Sequence, residues 1–115
     1  MIQINESNVT IMVKDMDKAI SFYESIGLTL KNRWGNHYAM LTAAGITIGI
    51  HPSDKEVNNS GSVSVGFMIS DINEAKATLE KANIKYEFQD DGKSGDYLHF
   101  KDLDGTILYY VKPKW

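Results

Sequence analysis

The chain has 115 residues, 43% of them apolar and 23% charged, a balance that suits a single domain with a sizeable core. Its formal net charge is −3 with no basic cluster, which argues against a nucleic-acid partner. It has no cysteine, so disulfides, thiolate metal sites and cysteine nucleophiles are excluded together, and the composition fits a reducing cytosol.

The start, "MIQINESNVTIMVKD", lacks the basic end and long apolar stretch of a signal peptide. No apolar run approaches the roughly 20 residues of a membrane helix. A cytoplasmic location without membrane association is expected, and triplets such as Asn8-Val9-Thr10 carry no glycosylation meaning there.

The first strand signal is period two: Val9, Ile11 and Val13 alternate with Asn8, Thr10 and Met12. Asp15 follows where a helix start needs an acceptor for its free N–H groups. Ala19, Ile20, Tyr23 and Ile26 form one helical stripe, and Gly27 stands where a left-handed C-cap is needed. Three strands are expected next, near 28–34, 37–43 and 45–51. Residues 53–61, "SDKEVNNSG", carry no apolar period and read as a linker.

The same message then repeats. "SVGFMISDINEAKATLEKANIKY" follows "NVTIMVKDMDKAISFYESIGLTL" at a constant offset of 56, matching Met12 to Met68, Asp15 to Asp71 and Ala19 to Ala75. Val65, Phe67 and Ile69 alternate as a strand. Asp71 with Glu74 makes a capping-box pattern, and Ile72, Ala75, Leu79 and Ala82 form the second stripe. Asn83 takes the place of Gly27, as the next-best residue for a left-handed cap. Strands near 84–89, 96–101 and 106–111 complete the copy. At an offset of 59 to 60, Tyr38 matches Tyr97, Met40 matches His99, Gly45 matches Gly105 and Gly49 matches Tyr109. The expected organisation is one domain, 1–115, made of two βαβββ modules, 1–52 and 62–115, joined by 53–61.

Several motifs fail on inspection. "DGKSGD" resembles a phosphate-loop ending, but Glu87 stands where the first glycine is required. "GSVSVG" centres no serine between the right glycines for a nucleophile elbow. Asp15, Asp17, Asp71, Asp102 and Asp104 sit at helix starts and turns, where capping accounts for them.

With "VKDMDKAISFYESIGL" in the first module, and "ISDINEA" and "KDLDGTILYY" in the second, the chain resembles the vicinal oxygen chelate superfamily. That superfamily includes glyoxalase I, extradiol dioxygenases, fosfomycin-resistance enzymes and bleomycin-resistance proteins. Leu103 replaces the proline usual in its closing motif. The resemblance implies an α+β fold in which two βαβββ modules form an open, cup-shaped mixed sheet with helices outside, completed in many short members by a homodimer. Members that use metal place His, Gln or Glu on the first and last strand of each module. By position these places are Asn8, Gly49, Ser64 and Tyr109, none of them His or carboxylate. The resemblance therefore implies no metal and no cofactor here.

By alternation, Asn8, Thr10, Met12, Gly49 and His51 of the first module point into the cup, with Met40 beside them and Trp34, His37 and Tyr38 near the rim. From the second module come Ser64, Met68, His99, Ile107 and Tyr109. Such a lining suits a small organic molecule, although Met12 and Met68 serve equally well as packing. The expected function is metal-free binding of a small molecule, with sequestration of a toxic or antibiotic compound as the closest model. The rival is an enzyme: a metal-dependent lyase, isomerase or dioxygenase with unusual ligands, His37, His51 and His99 among them, or a catalyst using His51 or His99 to carry protons. A third reading is a subunit whose cup has closed and serves assembly alone.

Overall fold

The computed structural model describes residues 2–61 and 63–114, so the expected module ends at 1, 62 and 115 lie outside the described residues. Its elements run β1 (Val9–Val13), α1 (Met16–Ser25), β2 (Thr29–Trp34), β3 (Tyr38–Ala43), β4 (Ile46–Pro52), β5 (Ser64–Met68), α2 (Ile72–Lys81), β6 (Glu87–Asp90), β7 (Gly95–Lys101) and β8 (Ile107–Pro113). They form two compact units, Met1–Val57 and Asn58–Trp115. Each unit is one mixed sheet with one helix: order β1-β4-β3-β2 in the first, β5-β8-β7-β6 in the second. The α+β class and the repeated βαβββ order agree with the sequence.

A ten-residue helix is marginal alone, so its ends and its buried stripe must hold it. Asp15 accepts from the backbone N–H of Lys18 at 3.0 Å, and Asp71 accepts from Asn73 and Glu74 at 2.9 and 3.1 Å. Losing such a cap typically costs ~1 kcal/mol. At the other end Gly27 and Asn83 adopt φ of 114° and 57°. The left-handed turn brings Leu28 N–H to the Tyr23 carbonyl at 3.0 Å and Ile84 N–H to the Leu79 carbonyl at 2.9 Å. Gly27 and Asn83 close the inner ring of the same motif by donating to Glu24 and Glu80.

Each sheet buries one face against its helix. In the first unit that face holds Ile11, Val13, Ala39, Leu41, Ile48 and Ile50, under Ala19, Ile20 and Tyr23 of α1. In the second it holds Val65, Leu98, Phe100, Leu108 and Tyr110, with Ala75 and Leu79 of α2 buried beside them. Each fully buried Leu or Ile contributes about 1.5–3 kcal/mol. Lys76 of α2 lies 4.3 Å above the Phe88 ring, which marks the helix side of β6.

Two strands differ from expectation. β6 begins at Glu87, because Ile84 still caps α2 and the Tyr86 hydroxyl donates to Glu80 at 2.8 Å. β8 runs on to Pro113, because β7 starts at Gly95 and the two pair to their ends. Between β4 and β5 both ends of the connection are tied to their own units. Ser53 N–H donates to the Val13 carbonyl at 2.8 Å, and Asn59 N–H donates to Asp104 at 2.8 Å. Among the described residues no helix is long and apolar enough to cross a membrane.

Candidate functional site

Register sorts each sheet's other, open face into rows. In the first unit Thr10 lies beside Gly49, Gly49 opposite Met40, and Met40 opposite Asn32. The next row sets Met12 beside His51 and Tyr38 opposite Trp34. Asn32 joins its row only because β2 bulges between Leu30 and Asn32, which resets the side-chain phase. The rings of Trp34 and Tyr38 lie 5.8 Å apart, and those of Tyr38 and His51 6.5 Å apart. Tyr38 reaches over Gly49 to within 3.3 Å of the Thr10 hydroxyl. A Cβ on Gly49 would stand 1.9 Å from the Tyr38 oxygen, so only glycine admits that pose. His51 Nδ1 is 2.8 Å from the Pro52 carbonyl.

The second unit builds the corresponding rows with other side chains. Gly66 lies beside Tyr109, Tyr109 opposite His99, and His99 opposite Glu87. Met68 lies beside Val111, which faces Tyr97, which faces Gln89. Tyr97 and His99 are nearly parallel, 8° apart with centroids at 5.7 Å. Tyr109 stands 5.7 Å from His99 and 6.0 Å from Tyr97. Its ring covers the backbone of Gly66, where a Cβ would meet Tyr109 Cζ at 2.1 Å. The three rings are half-buried, whereas Glu87 is exposed.

A loop braces this cluster from one side. The Tyr97 hydroxyl is 2.9 Å from Ser94 Oγ, and Ser94 Oγ donates to Asp91 Oδ2. Asp91 Oδ1 also accepts from the backbone of Lys93, Ser94 and Gly95 at 2.9, 2.8 and 3.3 Å. The Ser94 hydroxyl first, and then these N–H groups, hold the Asp91 carboxyl well below the usual carboxylate range. Lys114, just past β8, pairs at 2.8 Å with Asp90 at the end of β6.

Of the residues expected in a ligand site, Thr10, Met12, Trp34, Tyr38, Met40, Gly49 and His51 share the open face of the first unit. Ser64, Met68, His99, Ile107 and Tyr109 share that of the second. Asn8 precedes β1 and is exposed, so the alternation that placed it on the strand starts one residue too early. His37 lies in the β2–β3 turn, its N–H on the Trp34 carbonyl at 3.0 Å. Gly66, Tyr97 and Glu87 were not among the expected residues. The repeat carried a signal for Tyr97, since it matches Tyr38. Nothing local marks Gly66, whose contribution is the side chain it lacks.

The metal positions of the resemblance can be tested on their donors. Gly49 offers none, and its space is filled by Tyr38. Tyr109 offers a phenol on a ring stacked across Gly66. Ser64 and Asn8 offer weak neutral oxygens on exposed residues. Divalent ions want carboxylate, imidazole or thiolate donors, and this set does not fit them. Among the described residues no three His, Asp or Glu side chains gather as a metal-binding group.

Two βαβββ units, each with a parallel first and last strand, define a glyoxalase-type fold. The chain belongs to the Glyoxalase/Bleomycin resistance protein/Dioxygenase superfamily, whose family model matches residues 7–108. An uncharacterized protein of Mycolicibacterium smegmatis is 29% identical over 105 residues, covering 88% of this chain and 89% of that protein. Among solved structures, the fosfomycin resistance protein FosX of Listeria monocytogenes superposes with a TM-score of 0.81 at 18% identity, covering 99% of this chain and 96% of its own. A FosX variant bound to Mn(II) and 1S,2S-dihydroxypropylphosphonic acid gives 0.82 at 19% identity, over 97% and 93% of the chains. A glyoxalase-family protein of Bacillus anthracis gives 0.78 at 16%, over 99% and 100%. At these identities the structural likeness concerns the fold.

Proposed function

We propose that this chain binds a small organic molecule through the aromatic and methionine side chains of its open sheet faces, with no resident divalent ion. Sequestration of a toxic or antibiotic compound is the role this binding would serve, in a cytoplasmic homodimer. The observation that carries the reading is the pair of last-strand positions. Gly49 is roofed by Tyr38, and Tyr109 is laid over Gly66. Each space that would hold a metal-binding side chain is given to a ring.

Binding follows from the surfaces. Trp34 is 50% exposed and Met12 is 40% exposed, so both have area to lose to a ligand. Stacking on an aromatic ring adds about 0.5–1.5 kcal/mol beyond the buried area, and methionine adapts to an irregular outline. Thr10, His51, His99 and the tyrosine hydroxyls supply the few polar contacts that orient a guest.

A thermal-shift screen tests this, since any molecule that binds the folded state raises the melting midpoint. Planar organic compounds are expected to raise it, with a smaller effect in Trp34→Ala and Tyr109→Ala. Mn(II) and Zn(II) alone are expected to leave it unchanged. A saturable rise with either ion, reversed by chelation, would favour the metal-dependent enzyme instead.

A further inference from the structure

We propose that the open face of the second unit selects a flat, positively charged molecule that carries an N–H donor at its edge. This rests on the small-molecule reading above and names the class of ligand. Ser94 Oγ touches both Asp91 Oδ2 and the Tyr97 hydroxyl. An ionised carboxylate can only accept, and a serine has one hydrogen to give. Three backbone N–H groups keep Asp91 ionised at neutral pH, so the serine hydrogen points to Asp91. The bond between Ser94 and Tyr97 must then be donated by the tyrosine. Its hydrogen is committed, and toward a guest the Tyr97 oxygen can act only as an acceptor.

The rest of the surface agrees with that polarity. Tyr97, His99 and Tyr109 tile a patch of three rings with centroids 5.7 to 6.0 Å apart. Gly66 leaves the β5 side of the patch without a side chain, so Tyr109 lies down rather than standing up. Tyr97 and His99 stack at 8°, and Tyr109 is tilted 51° and 44° to them, so the three rings offer aromatic groups at two inclinations. Glu87 faces His99 across β6 and β7, and Gln89 faces Tyr97. One row beyond, at the end away from Tyr97, Lys101 faces Ile107. The residue opposite Tyr97 is thus neutral, and the Glu87 carboxylate stands one row away, between the Tyr97 and Lys101 rows. A cationic N–H edge that spans the two rows finds the Tyr97 phenol oxygen and the Glu87 carboxylate, while its ring meets aromatic groups that favour cations. A flat anion would meet a phenol oxygen that can only accept and the Glu87 carboxylate in the next row.

The experiment is a fluorescence titration of the full chain with two planar probes of similar size: 9-aminoacridine, a cation with an N–H edge, and anthracene-9-carboxylate, an anion. The native protein is expected to bind the cation more tightly by about tenfold. Tyr97→Phe removes the acceptor oxygen, keeps the ring, and is expected to bring the ratio close to unity. Ser94→Ala frees the Tyr97 hydroxyl to donate and should lower the ratio several-fold. Glu87→Gln should weaken the cation and spare the anion. Circular dichroism and the melting midpoint confirm that each variant is folded. Equal affinities, a preference for the anion, no binding of either probe, or a ratio unmoved in Tyr97→Phe would each overturn the assignment. A preference for the anion in metal-free protein would defeat this inference while leaving the small-molecule reading standing. A stoichiometric divalent ion would defeat that reading independently of either probe.

Discussion

The ring of Tyr109 covers Gly66, so closely that a Cβ at position 66 would lie 2.1 Å from Cζ and 2.4 Å from the hydroxyl oxygen. One residue's missing side chain thus fixes the pose of another on the neighbouring strand. Gly66→Ala should push the ring off the sheet and cost about 1–3 kcal/mol, the usual range for overpacking. In a Tyr109→Ala background the same change should cost much less. Urea denaturation of the four proteins gives the coupling directly. Additive effects would mean that the ring does not depend on the glycine.

At Gly49 the crowding atom differs, and so does the expected rescue. The Tyr38 hydroxyl oxygen lies 1.9 Å from a Cβ there, but its Cζ lies at 2.7 Å. Tyr38→Phe removes the nearest atom and should relieve part of the cost of Gly49→Ala. At position 66 the equivalent Tyr109→Phe should relieve little, because a ring carbon is the closest contact. Melting midpoints of the two sets of double variants distinguish the cases.

Asn83 has φ of 57° at the end of α2, where its counterpart in α1 is Gly27. A left-handed conformation costs most residues roughly 1–2 kcal/mol, and glycine almost nothing. Asn83→Gly should therefore be neutral or slightly stabilising, and Asn83→Ala destabilising by about 1 kcal/mol. Denaturant midpoints with unchanged slope would establish both.

The pH dependence has two ends. The folded state holds Asp91 below its ordinary 3.8, chiefly through the Ser94 hydroxyl. Its contribution is present above 3.8 and is lost as pH falls below it, because the unfolded chain takes up that proton first. Asp91→Asn should flatten the acid limb of the stability curve. Burial pushes Tyr110 up to about 12 from 10.0. Its contribution is complete below 10.0 and declines as pH rises toward about 12. Tyr110→Phe should flatten that alkaline limb in the same urea series.

Much of the fold was legible because it rests on local chemistry. Asp15 and Asp71 cap as their positions demand, and Gly27 and Asn83 turn the chain as their backbones allow. The repeat also carried long-range information. It matched Met40 to His99 and Gly49 to Tyr109, and Met40 pairs with Gly49 in the first sheet as His99 pairs with Tyr109 in the second. The site was less legible. Strand alternation fails across the bulge after Leu30, so Asn32 could not be phased from sequence. The brace from Asp91 through Ser94 to Tyr97 spans a loop with no period to read. Gly66 matters through an absence that only coordinates make visible.

On the proposed function, the rings of Tyr38 and Tyr109 take the space of metal-binding side chains at the last-strand positions. Elemental mass spectrometry of untagged protein, expressed with Mn(II) and Zn(II) supplied and then desalted, tests it most directly. Far less than one divalent ion per chain is expected, with no change in melting midpoint after chelation. One tightly held ion per chain, lost together with stability on chelation, would contradict it.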